Sequence, residues 1–140
     1  MKEAFDGVLA FVDNGVFSAF DLKKERFLSV VSSSGQGIPS RGMLQKNDSL
    51  VWVISGSELH LMKRCASKEG ELRLRVEEKY TGWDNQDNLL VAITYSSDKK
   101  SICLIDEKGR IILLDATNLS FFRVIDLGRT GSLSVKFCFV

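Results

Sequence analysis

The sequence has one proline, Pro39, and one histidine, His60. A single histidine excludes a histidine-rich zinc site, and no C-x-x-C is present to seed a cysteine one. The three cysteines, Cys65, Cys103 and Cys138, are odd in number and lie 38 and 35 residues apart. That spacing argues against a disulfide framework and points to a cytoplasmic or nuclear chain. Charge of one sign is also lacking: 19 Lys and Arg oppose 18 Asp and Glu, a formal net charge of +1. Such a chain has little field to hold a footprint of roughly 6–10 phosphates, so nucleic acid is the disfavoured partner. No apolar run approaches the roughly 18 residues needed to span a bilayer, and no signal-peptide core opens the chain. Membrane attachment, metal and cofactor are therefore not expected.

Catalytic and phosphate motifs are missing as well. The stretch 34–37 (Ser-Gly-Gln-Gly) lacks the rest of a P-loop and precedes no helix. The stretch 84–88 (Asp-Asn-Gln-Asp-Asn) is rich in oxygens but lacks the central Gly and terminal Glu of a calcium loop. There is no G-x-S-x-G and no H-E-x-x-H.

What remains is a globular composition. Apolar residues make up 44% and charged residues 26%, with 11 Gly and 9 Phe in 140 residues. A chain of this size forms one domain and buries about 70% of its unfolded surface. Short apolar runs rich in β-branched and aromatic residues predict eleven strands. They fall at 7–12, 16–21, 26–31, 50–54, 58–63, 71–77, 89–95, 101–105, 110–114, 121–125 and 132–139. No window sustains an amphipathic helix. The stretch 32–49 reads as a long surface loop or a poorly marked strand near 42–44.

Two turns are specific. Asn14-Gly15 separates two apolar runs and predicts a type I′ hairpin, whose central residues both need positive φ. Lys108-Gly109 predicts the same device with a longer loop, Gly109 supplying the left-handed residue.

The chain also repeats. Slid by 94 residues, Val8–Phe11 falls on Ile102–Ile105, Gly15 on Gly109, Asp21 on Asp115 and Phe27 on Phe121. A weaker copy begins at Leu50-Val51-Trp52-Val53-Ile54. The mean step is 47 residues, and the unit is a four-stranded antiparallel one. Units are expected near 7–49, 50–95 and 101–140, together forming a single all-β domain.

This pattern resembles the blades of a β-propeller, loosely of the WD or quinoprotein kind. The best-formed segments are Phe20–Phe27 and Leu114–Ile125. The Gly-His and strand-end Trp-Asp pairs of true WD repeats are absent; Trp83-Asp84 lies in a polar loop. The segment Phe20-Asp21-Leu22-Lys23-Lys24-Glu25-Arg26-Phe27 also resembles the interaction domains that follow plant F-boxes. Propellers close with four blades or more. Three units imply a partial propeller, completed by a second copy or by a partner chain. A β-sandwich or barrel is the alternative.

Asp21 and Asp115 occupy equivalent positions after a strand and are expected to cap turns through their own backbone, as Asn14, Gly15 and Gly109 shape theirs. His60 reads as a strand residue on a polar face. Its chemical alternative is a small-ligand or enzymatic site with Cys65, the more exposed thiol. The expected contact residues are Ile38, Arg41 and Met43 in the long loop, and Trp83, which reads either as an exposed anchor of the kind that dominates protein interfaces or as a core side chain. Apolar flanks at 5–11 and 133–140 are expected to form the interface of a non-catalytic interaction or scaffold module. An RNA-binding β-domain is a further alternative, since Tyr80, Trp83 and Tyr95 would stack on bases if exposed.

Overall fold

The computed structural model describes residues 7–47, 49–66, 68–80 and 88–126. Within them the chain is all-β, with eleven strands and no helix. They are β1 (Val8–Asp13), β2 (Val16–Asp21), β3 (Arg26–Ser32), β4 (Met43–Gln45), β5 (Leu50–Ser55) and β6 (Glu58–Arg64). There follow β7 (Glu71–Tyr80), β8 (Leu90–Tyr95), β9 (Ser101–Asp106), β10 (Arg110–Asp115) and β11 (Phe121–Asp126). The short β4 marks the long loop as partly strand. The expected strand at 132–139 lies outside the described residues.

The strands form a seven-stranded sheet, ordered β1-β2-β3-β7-β6-β5-β4, and a four-stranded sheet, ordered β11-β10-β9-β8. Each of β4–β7 and β8–β11 is a meander of four consecutive strands, the connectivity of a propeller blade. β4 pairs with β5 and β8 with β9. One junction departs from antiparallel pairing: β3 runs parallel to β7, with Ser29 opposite Glu71 and Ser32 opposite Leu74.

The chain divides into two compact units, Met1–Val53 with His60–Lys79, and Ile54–Leu59 with Tyr80–Val140. The first has a core of Phe17, Ala19, Val30, Ile38, Val51, Val53, Met62, Leu72 and Leu74. Alternation explains it: one face of β1–β3 and one face of β7 point inward together. An isolated bridge from Val16 to Pro39, and a bond from the Phe17 N–H to the Ile38 carbonyl, bring the loop against the start of β2. Lys46 Nζ sits 5.0 Å from the centre of the buried Trp52 ring.

In the second unit β9 is buried on both faces, through Ile102, Cys103, Leu104 and Ile105. That is why this strand reads as an unbroken apolar run rather than an alternating one. Leu90 donates its N–H to the Gly56 carbonyl, tying β8 to the 54–59 segment.

The two hairpins that coincide in the sequence differ by one residue in register. Asn14 (φ 50°) and Gly15 (φ 76°) both have positive φ, as a two-residue type I′ turn requires. In β9–β10 Gly109 (φ 82°) is the left-handed residue, and its N–H donates to the Asp106 carbonyl at 3.1 Å. That is a three-residue loop ending in a left-handed glycine. Ala19 therefore pairs with Ala10, whereas Leu113 pairs with Cys103 rather than Leu104. Because side chains alternate, this slip exchanges faces. Phe17 and Ala19 are buried in β2, but Ile112 and Leu114 are the buried pair in β10. A bulge between Leu113 and Leu114 then restores the matching pair, Leu114 opposite Phe121, as Phe20 is opposite Phe27.

Candidate functional site

The inward face of β1–β3 carries Phe17, Ala19 and Val30 into the core. Alternation sends Leu9, Phe11 and Asp13 of β1, Val16, Ser18 and Phe20 of β2, and Phe27, Ser29 and Val31 of β3 to the other face. The register aligns Leu9, Phe20 and Phe27 in one row across the three strands. Phe20 and Phe27 meet edge to face, their ring centres 5.0 Å apart.

This face is apolar yet open to solvent. Phe27 is 70% exposed, Leu22 57%, Leu9 53% and Val16 42%. Single exposed apolar residues are ordinary, but a contiguous set on one sheet face marks a contact surface.

Charge rims it. In the turn between β2 and β3, Asp21 Oδ1 accepts the Lys23 and Lys24 N–H groups at 3.0 and 3.1 Å. Lys24 and Arg26 both reach Glu69, with Lys24 Nζ 2.8 Å from Oε1. Hydrogen bonds from Lys24 and then Arg26 hold the Glu69 carboxyl below its usual range. On β7, Arg73 Nε donates to Glu71 at 2.9 Å, which lowers the Glu71 carboxyl and raises the guanidinium. A second Arg73 nitrogen donates to the Ser33 carbonyl at 3.3 Å.

The residues expected from sequence do not gather into one site. Ile38 is buried and Met43 packs against the core, which leaves Arg41 as the exposed one of the three. Trp83 lies outside the described residues. His60 is half-buried within β6, and Cys65 follows that strand, its N–H donating to the Arg73 carbonyl at 2.9 Å. Neither Cys65 nor Cys103 forms a disulfide. Burial raises the Cys103 thiol above its usual range. Among the described residues no three His, Cys, Asp or Glu side chains cluster to hold a metal ion. No helix among them is long and apolar enough to cross a membrane.

Asp115 repeats the Asp21 arrangement: its Oδ1 accepts the Thr117 and Asn118 N–H groups at 2.8 and 3.2 Å. Of the open face, sequence reasoning marks Leu9 and Phe11 through the 5–11 flank but misses Val16, Phe20, Leu22 and Phe27. The signal was present, since the Asn14-Gly15 turn fixes which positions of β2 share a face with Leu9.

No protein-family model matches the chain, and no curated protein matches it. Solved structures do. The chain is similar to dihydro-heme d1 dehydrogenase NirN in complex with DHE, at 14% identity and a TM-score of 0.52, over 88% of this chain and 28% of that one. It is similar to Kluyveromyces lactis Hsv2 at 13% identity and a TM-score of 0.53, over 89% of this chain and 38% of that one. It is similar to apo AztD from Citrobacter koseri at 15% identity and a TM-score of 0.53, over 94% of this chain and 34% of that one. All three are β-propeller proteins, and at these identities the likeness shows the fold alone. The likeness fits an all-β fold of the partial-propeller or barrel kind, and the chain spans less than two fifths of the length of each of these three structures. The resemblance to F-box-associated domains gains no support from these matches.

Proposed function

We propose that this chain is a non-catalytic protein-interaction module, built from blades of a loosely WD- or quinoprotein-like propeller, in a cytoplasmic or nuclear setting. The observation that carries the proposal is the open apolar face of β1–β3, on which Phe27 is 70% exposed. Blades pack face to face, and the inner face of β1–β3 already does so against the core side chains of β5, β6 and β7. The outer face has the composition of a blade surface without its neighbour. Aromatic and aliphatic anchors ringed by charge are the anatomy of a protein interface.

A photoreactive phenylalanine analogue at position 27, with Lys99 in the β8–β9 turn as the control position, tests this in cells. Protein adducts at 27 that survive nuclease, and none at 99, are the expected result. No adduct at 27, or adducts that vanish with ribonuclease, would overturn it, the latter in favour of RNA.

A further inference from the structure

We infer that the occupant of this face is a second copy of the chain, stacked on it about a two-fold axis; the inference rests on the interaction reading above. The face is complementary to itself. From one end to the other it presents Leu22, the row Leu9–Phe20–Phe27, then Phe11 with Ser18, and finally Asp13 with Val16. A copy turned end for end lays Leu22 over Val16, and the Leu9–Phe20–Phe27 row over the row of Phe11, Ser18 and Ser29. Leu9, Val16, Leu22 and Phe27, all exposed in one chain, are covered together.

The charges at the two ends follow the same rule. Lys23, Lys24 and Glu25 occupy the turn at the Leu22 end. Asp13 precedes the turn at the other end, and Arg41 follows Ser40, whose N–H donates to the Gly15 carbonyl. Lys24 is held by Glu69 of its own chain, so turning one copy end for end brings Lys23 toward Asp13 and Glu25 toward Arg41. Opposite signs meet on both sides of the axis, twice over, as an isologous interface requires. Complementary charge of this kind sets register while the apolar row provides the buried area.

Light scattering of the purified chain at tens of micromolar should give twice the mass of 15.6 kDa. Phe27→Glu should weaken the dimer by about tenfold or more, with an unchanged far-ultraviolet circular dichroism spectrum. Asp13→Lys and Lys23→Asp should each weaken self-association. Mixing the two should restore a heterodimer, because each copy then meets its opposite sign. This last arm keeps the inference testable should Phe27→Glu fail to fold. A wild-type chain that stays monomeric, or charge variants that weaken alone and do not recover when mixed, would overturn it. A monomer whose position 27 still forms adducts with another protein rejects the second copy and keeps the interaction reading. A monomer with no adducts rejects both.

Discussion

Asp21 and Asp115 each hold a turn by accepting two backbone N–H groups on one carboxylate oxygen. Asp98 does related work in the β8–β9 turn, accepting the Lys100 N–H at 2.9 Å and the Ser96 hydroxyl at 2.6 Å. Those bonds, the hydroxyl first, hold the Asp98 carboxyl below its usual range. Glu69 and Glu71 are lowered by their lysine and arginine partners. A carboxylate whose folded pKa lies below its unfolded one stabilises the fold above the unfolded value. It loses that contribution as pH falls through the folded value. The urea midpoint should therefore hold from pH 7 to about 5 and fall below about 4, where these groups protonate. Since the ion pairs are exposed, the loss should be modest and smaller in high salt. The triple variant Glu69→Gln/Glu71→Gln/Asp98→Asn should flatten the acid limb; a limb equally steep in that variant would contradict the assignment. The turn aspartates were legible from sequence, because a carboxylate bonding its own backbone is a local event. The ion pairs of Glu69 were not, because they join residues more than forty positions apart.

At the scale of elements, the hairpins carry the lesson. Sliding the sequence matches Phe17 with Ile111 and Ala19 with Leu113, yet the buried residues of β10 are Ile112 and Leu114. Apolar identity was legible, since every one of these positions is apolar. Facing was not, because it depends on whether a loop holds two residues or three. Deleting Lys108 shortens the β9–β10 loop by one residue. A two-residue loop closes between the same partners only with positive φ at both central residues, which Glu107 would have to adopt; otherwise the pairing slips by one residue and Ile112 and Leu114 turn outward. The expected loss is about 3 kcal/mol or more, comparable to removing a large core side chain, read from urea denaturation. Retention of wild-type stability would show that the register is fixed elsewhere. In the open face of β1–β3, the Asn14-Gly15 turn sets Phe20 beside Leu9, but only the β2–β3 register places Phe27 beside them.

At the scale of the whole molecule, the β-rich periodicity was legible in the sequence and the sheet order was not. The short runs of β-branched and aromatic residues foretell strands, and the three solved structures named above are propellers. Nothing in a single sequence announces that β3 lies parallel to β7. That seam has a temporal consequence. Each meander is assembled from neighbours in sequence, but Ser29 meets Glu71 only after 41 residues of intervening chain have been brought round. Closing a loop of that length costs entropy before any seam hydrogen bond forms. Local hairpins should therefore assemble first and the seam last. Val30→Ala, which trims the seam pair Val30–Leu72, should quicken unfolding and leave the folding rate nearly unchanged in stopped-flow measurements. A slowed folding rate would place the seam in the nucleus instead. If it closes late, the β1–β3 meander is the last part of its unit to be locked, and a nascent chain would present its aromatic face to the cell before its own core is sealed.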